Sequence, residues 1–538
     1  MPLLHPTRWS AERADHYRRD GHWGGLPLHR RFERTVDLHA NRVALVDGER
    51  RLTFLELDRL SRRAARGLYQ LGFGAGDVIA YQLPNWWEAV AVFLGAARIG
   101  ATINPLLPMF RARELRFTLT QSGARGAIIP GNYRDVDYPG LWSSLRGDLP
   151  QLEQVFVARG DAAPGMRSLD EFLATPWEQA LRPAPIASEA PDADALLLLM
   201  YTSGTTADPK GVLHTHDTLI AEVDSLARVH DLTPNDRTLM PSPLTHISGV
   251  IHGILSPALL GTSAILMDRW EPDRALELID HERVTYMVGA PTFLQDLLAQ
   301  AEAQPAHDLR SLRLFSCGGA GVSPELMRRA RERFPHCVAK RVYGSTEFPT
   351  MTTTGTDDAL TRGVDTEGRA IWPVEVRIAD AQEQPLPAGN EGEVQGRGPE
   401  CFVGYLDATL NADTFTSDGW FRTGDLGVLD PDGYLRITGR LKDIIIRKGE
   451  KISVKEVEDL IAEHPAVAEV ALIPRPDPVT GERACAVVRM RAGAAVDLTG
   501  LTAFLASKGL AKQKWPEKLE VVVDFPRTES GKILRSKL

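Results

Sequence analysis

The apolar run Ala195–Met200 empties directly into Tyr201-Thr202-Ser203-Gly204-Thr205-Thr206-Ala207-Asp208-Pro209-Lys210-Gly211-Val212. A buried strand that ends in a small, hydroxyl-rich loop is a natural phosphate cradle. Gly204 permits close approach of the backbone, Thr202, Ser203, Thr205 and Thr206 offer hydroxyl donors, and Lys210 adds a point charge. Lys210 sits in Pro-Lys-Gly rather than at the end of G-x-x-x-x-G-K-[ST]. That spacing points away from kinases and GTPases.

Strand and helix patterns alternate around this loop, as an α/β architecture requires. Thr53 and Glu56 form a capping box, and Leu57, Leu60, Ala64, Leu68 and Leu71 then recur at helical spacing until Gly72. Val78–Leu83 reads as a strand, and Asn85 is expected to cap a helix from Trp86 to about Ile99. Ala264–Asp268, Thr285–Gly289 and Leu312–Ser316 read as further strands, and Ser323-Pro324 starts a helix. From about Val374 short alternating strands with Gly and Pro turns predict a small β subdomain, near 374–440. The last block, 441–538, carries its own strands and helices and reads as a separate α+β domain after a large domain over 1–440.

Three further motifs carry chemistry. Tyr343-Gly344-Ser345-Thr346-Glu347 offers a ring to stack, a flexible Gly, hydroxyls and a carboxylate fit for Mg²⁺. In Ser417-Asp418-Gly419-Trp420-Phe421-Arg422-Thr423-Gly424-Asp425-Leu426-Gly427 an Asp in a Gly-bounded turn could accept hydrogen bonds from ribose, or simply close an Asx-turn. Pro526-Arg527-Thr528-Glu529-Ser530-Gly531-Lys532 is a C-terminal loop after the strand Leu519–Val523.

In order and identity these motifs resemble the adenylate-forming superfamily of acyl-CoA synthetases, peptide-synthetase adenylation domains and beetle luciferases, over nearly the whole chain. Pro84-Asn85-Trp86-Trp87-Glu88 and Asn104-Pro105-Leu106-Leu107-Pro108 look most like bacterial cyclohexanecarboxylate-CoA ligases. The resemblance implies that Thr202–Lys210 holds the β- and γ-phosphates of ATP. Tyr343 would stack on adenine beside Gly344, Gly319 and Ala320. Thr346 would bond the α-phosphate, Glu347 would bind Mg²⁺, and Asp425 and Arg440 would hold the ribose. Lys532 would bridge the substrate carboxylate and the α-phosphate, and Lys442 would be the hinge of a small domain that rotates between half-reactions. Where relatives carry Gly in the phosphate loop this chain has Ala207, which implies a stiffer loop. His246 matches the position that lines the acyl pocket and gates thiol entry. Ile247, Gly249, Val250, Gly318 and Gly319 would wall the same pocket, and Ile247 favours an apolar acid.

The expected activity is therefore ATP- and Mg²⁺-dependent ligation of an alicyclic, terpenoid-like or medium-chain carboxylic acid to CoA. The alternatives are loading of a carrier-protein phosphopantetheine, oxidative chemistry on the adenylate, and a nucleotide-binding relative without turnover. His214 and His216 form an H-x-H without further ligands and read as flanks of the helix beginning near Asp217, not as a metal site. A formal charge of −9 gives no reason to expect nucleic-acid binding. Four scattered cysteines predict a reducing compartment without zinc or disulfides. No apolar run is long enough to span a bilayer. Ser536-Lys537-Leu538 matches a peroxisomal address, but the Ala- and Arg-rich composition reads as bacterial, where the expected location is the cytoplasm. Self-association as a homodimer is left open.

Overall fold

The computed structural model describes residues 11–179, 192–202, 209–356, 358, 362–441, 444–447, 450–477, 481–528 and 531–538. Two large sheets organise the chain up to the β subdomain. One has eight strands, and Leu196–Thr202, Thr102–Pro105, Val78–Tyr81, Gly126–Pro130 and Gln154–Ala158 form its parallel centre. The other has nine, with Val338–Tyr343, Leu314–Gly318, Tyr286–Gly289, Arg237–Met240, Ser263–Leu266 and Val43–Asp47 parallel and adjacent in that order.

The helices Leu28–His39, Phe54–Gln70, Trp87–Arg98 and His216–Val229 lie between the two sheets and share one apolar core with both. Every residue of Trp87–Arg98 is buried, which explains why its sequence is apolar on all sides instead of along one stripe. At Gly95 a Cβ would lie 2.7 Å from the Cβ of Ala64, so this glycine sets how closely two central helices approach. The buried Arg98 pairs with Asp58 and Glu33, which joins three of these helices. The outer faces are closed by Pro272–His281, Pro291–Ala303 and Pro324–Arg333 on one sheet and by Ala112–Ser122 and Tyr138–Leu145 on the other.

The capping box at Thr53 and Glu56 forms as expected, with Gly72 beyond the helix end at φ +88°. Asn85 does not cap the next helix. Its side-chain nitrogen lies 2.9–3.0 Å from the carbonyls of Met240, Ser242 and Met267, and its oxygen accepts from the Leu244 amide at 2.7 Å. A helix N-terminus uses one acceptor. Three loop carbonyls and an amide use the whole amide group, which ties the strand ends of both sheets together.

Glu375–Ala379, Gly392–Arg397, Phe421–Leu429 and Leu435–Arg440 form an antiparallel four-stranded sheet, the β subdomain. The C-terminal block has a separate core around Ile445, Val457, Ile461, Leu472, Val488, Leu501 and Leu505. Two helices cover a sheet built on the long hairpin Val467–Asp477/Gly481–Met490. None of the helices among the described residues is long and apolar enough to cross a membrane.

Candidate active site

The first site element is a hairpin. Thr202 pairs with Lys210 in an antiparallel register, at the ends of two neighbouring strands of the eight-stranded sheet. Ser203, Gly204, Thr205, Thr206 and Ala207 lie outside the described residues, as does Lys442. The Lys210 ammonium stands over the Tyr405 ring at 4.9 Å. The Tyr405 hydroxyl donates to Glu347 Oε1 at 2.8 Å. One phenol thus connects the phosphate-loop lysine to the carboxylate expected to bind metal. Sequence reading missed Tyr405 because it is brought there by pairing of Gly404–Tyr405 with Lys210–Thr215, a contact between segments nearly two hundred residues apart.

The second element is the loop after Val338–Tyr343. Gly344 has no room for a side chain, since a Cβ would lie 2.0 Å from the Pro349 carbonyl oxygen. The Thr346 carbonyl is held by His214, whose Nε2 lies 2.8 Å away. A carbonyl only accepts, so Nε2 carries the proton and Nδ1, 3.1 Å from Thr218 Oγ1, is the acceptor. Burial lowers the His214 pKa to about 4, so the ring is neutral at ordinary pH. His216 meets the amide of Leu28 through Nδ1 at 3.2 Å, and no cluster of metal-ligating side chains occurs among the described residues. Both rings are thus engaged with backbone groups, and His214, through the Thr346 carbonyl, is more than a helix flank. His214→Leu should slow adenylate formation about tenfold, roughly 1.4 kcal/mol for an unpaired buried carbonyl, and His214→Gln should retain more. Pyrophosphate exchange measures both.

The third element corrects an expectation. Asp425 lies inside the strand Phe421–Leu429, opposite Arg440, and not in a turn. Gly424 has φ +71° and the register slips beside it, a bulge that re-aims the following side chain. The Asp425 carboxylate accepts from the Tyr343 hydroxyl at 2.7 Å and from Arg440 Nε at 2.8 Å. Burial and the Asp425 charge keep the Tyr343 phenol protonated.

Lys532 completes the group. The Thr528 amide donates to the Lys532 carbonyl at 2.8 Å, and the Lys532 amide donates to Thr528 Oγ1 at 3.0 Å. This small loop docks on the large domain, where Thr292 Oγ1 donates to the Gly531 carbonyl at 3.3 Å. The Lys532 stem then lies against Gly319, with Cε 3.4 Å from where a Cβ would be. Burial, then the Arg440 charge, lower the Lys532 pKa to about 8, against the opposing pull of Glu347.

His246 caps a short helical turn, accepting from the Ser248 amide through Nδ1 at 3.3 Å. Its proton therefore sits on Nε2, and burial together with the Lys532 charge lowers its pKa to about 3. Gly249 shapes the turn, because a Cβ there would fall 1.9 Å from the Pro243 carbonyl oxygen. Gly318 similarly permits close approach of Val342, whose carbonyl oxygen lies 2.3 Å from where a Cβ would be. Ile247 and Val250 are buried beside His246, and Gly319 and Ala320 are exposed.

Lys210, Arg440 and Lys532 thus converge with Glu347 and Asp425 on one edge of the sheets. A cluster of this kind suits a substrate with a polyanionic chain and a diol. Mg²⁺ is commonly held by one or two carboxylates and substrate phosphates. Glu347, with Tyr405 bonded to Oε1, fits that donor set.

A cleft of about 320 Å³ runs beside this group, between strand-end loops of the large domain and the Lys532 loop. Pro243, Thr292, Gly531, Arg134, Arg269 and Arg527 are among its lining residues.

The family model for AMP-binding enzyme matches residues 32–406, and that for the AMP-binding enzyme C-terminal domain matches 456–532. The chain is 37% identical to a medium-chain fatty-acid–CoA ligase of Escherichia coli (strain K12), over 98% of this chain and 92% of that one. It is 35% identical to a salicylyl-CoA synthase / salicylate adenylyltransferase of a Streptomyces species, over 98% and 96%. Among solved structures, an anthranilate CoA ligase in complex with anthranoyl-AMP superimposes with a TM-score of 0.86 at 25% identity, over 95% and 96%.

Proposed function

The chain belongs to the AMP-binding enzyme family, and on that premise we propose that it joins an acid with an apolar body to CoA through an acyl-adenylate. The observation that carries this reading is the docked Lys532, held against Gly319 in the field of Arg440 and Glu347 and near enough to His246 to lower its pKa. A carboxylate and a phosphate repel each other. The Lys532 ammonium offsets that repulsion at the point where the carboxylate oxygen must approach the α-phosphorus. The new O–P bond forms as the bond from the α-phosphorus to the pyrophosphate oxygen breaks, and pyrophosphate leaves toward Lys210. Mg²⁺ on Glu347 would neutralise charge on the phosphate oxygens. Thr346, Asp425 and Arg440 would fix the α-phosphate and the ribose, which keeps the reacting atoms in line.

In the second step the thiol sulfur attacks the acyl carbon, AMP departs, and the thiol proton leaves to solvent. The cleft past Thr292 and Gly531, with Arg134 and Arg269 exposed at its edge, supports a phosphorylated thiol such as CoA. Ile247 and Val250 beside His246 support an apolar acyl body. Rotation about Lys442 would clear Lys532 from the thiol's path.

A pyrophosphate-release screen over alicyclic, fatty, terpenoid and aromatic acids tests the first step. Product analysis with CoA against a holo carrier protein tests the acceptor. Absence of acid-dependent pyrophosphate release with every class would overturn the proposal.

Proton linkage gives an independent check. A lysine must carry its proton to bridge two anions, and its pKa in the docked loop is about 8. The kcat/KM for ATP in adenylate formation should therefore fall as pH rises through about 8, whereas transfer from a supplied acyl-adenylate should lack that limb. Lys532→Arg should remove the limb within the accessible range, because a guanidinium stays protonated.

A further inference from the structure

Behind His246 the wall of the site turns polar. Strand alternation places Tyr286 and Val288, and Leu314, Ser316 and Gly318, on the sheet face that packs toward His216–Val229 and the helical turns after His246. Ser316 lies two residues, about 7 Å, below Gly318 on that face. His252 comes from the π-helical turn Val250–Leu255, one and a half turns beyond His246, and is buried. Its ring meets the Tyr286 ring edge-on at 5.4 Å.

These side chains form a directed chain. The Tyr286 hydroxyl lies 3.4 Å from Ser316 Oγ, and Ser316 Oγ lies 3.3 Å from His230 Nε2. If Tyr286 donates to Ser316 and Ser316 donates to His230, the lone pairs of the Tyr286 oxygen remain available. His252 Nδ1 is buried and has no hydrogen-bond partner. Leu226, Ile254, Leu255, Val288 and Leu314 pack around these side chains, while the buried Glu222 acts on Tyr286 and the buried Lys340 on His230. A floor meant only for hydrocarbon would gain from an apolar side chain at His252, since a buried polar atom without a partner is destabilising.

Resting on the adenylation reading above, we infer that the acid carries a hydroxyl or carbonyl oxygen at the end remote from its carboxyl, recognised by His252 and Tyr286. The apolar body passes Ile247, Val250 and Val288, and the distal oxygen supplies the partner that His252 Nδ1 lacks. The neutral ring can donate to a carbonyl or accept from a hydroxyl, depending on its tautomer. His252 is thus a specificity determinant for the far end of the acid, as His246 stands at the reacting end.

The test is kcat/KM in pyrophosphate release for matched acids. Cyclohexanecarboxylate is compared with its ring-para hydroxyl and keto derivatives, and octanoate with ω-hydroxyoctanoate. The wild-type enzyme should prefer the oxygenated member of at least one pair by about tenfold or more, because a site built to hydrogen-bond rejects the analogue lacking the group. His252→Phe preserves the ring contact with Tyr286 and should bring that ratio near unity by raising activity on the plain acid relative to its partner. Tyr286→Phe provides the same reading if His252→Phe does not fold. Preference for the plain acid in every pair, or an oxygen preference unchanged in both variants, would overturn the inference and leave adenylation intact. Failure of every acid to release pyrophosphate would overturn the adenylation reading and this inference with it.

Discussion

Lys532→Ala should lower the rate of acyl-adenylate formation by about 10²–10³, the effect of removing one preorganised charge from a water-poor site. Transfer to CoA from a supplied acyl-adenylate should stay close to the wild-type rate. The structure predicts this split because Lys532 reaches the site only through the docked loop, with its stem on Gly319 and the Gly531 carbonyl on Thr292. The His246 pKa supplies a second readout. Burial is the larger cause of its depression, but the Lys532 charge adds to it, so removing the ammonium should shift the ring upward. Equal loss of both half-reactions would mean that Lys532 holds the fold of the site instead of acting on one step.

Gly531→Val should impair the same half-reaction without touching any charge. Gly531 has φ +83°, a conformation that a β-branched residue strongly disfavours. A Cβ there would also lie 2.5 Å from Thr292 Oγ1 and 3.4 Å from the Ala290 Cβ. The loop would have to stand off the large domain by about an ångström, a misplacement that can cost on the order of 10² in rate. Thr292→Ala removes the oxygen nearest to that Cβ, so the double variant should recover part of the loss. An adenylation rate unaffected by Gly531→Val would show that Lys532 does not act from the docked position.

Much of this architecture was legible in the chain. The helix after Thr53, the strand before the hydroxyl-rich loop, the cap at Ser323 and the β subdomain all rest on local chemistry: periodicity, caps and turn residues. Tyr343, Asp425, Arg440 and Lys532 were singled out through motif resemblance, and the structure brings these four side chains close together. What escaped was long-range. Asn85 reads as a cap because Asn suits caps, but the carbonyls that claim it come from strands more than 150 residues away. Asp425 reads as a turn residue because glycines flank it, but pairing with Gly392–Arg397 and Leu435–Arg440 makes it a bulged strand. His214 reads as a helix flank because Thr346, its partner, lies 132 positions on.

The phenol of Tyr405 joins two events that chemistry separates. In the proposed reaction Lys210 would sit at the end of the triphosphate that departs, and Glu347 at the end that stays with the acyl group. The Tyr405 ring faces the first and its hydroxyl binds the second. While pyrophosphate is present, Lys210 has a stronger anion to attend than an aromatic face. Once it has gone, the ammonium can settle back on the ring, where it polarises the hydroxyl toward Glu347. On that proposal, departure of the leaving group would be communicated to the carboxylate beside the adenylate through one side chain.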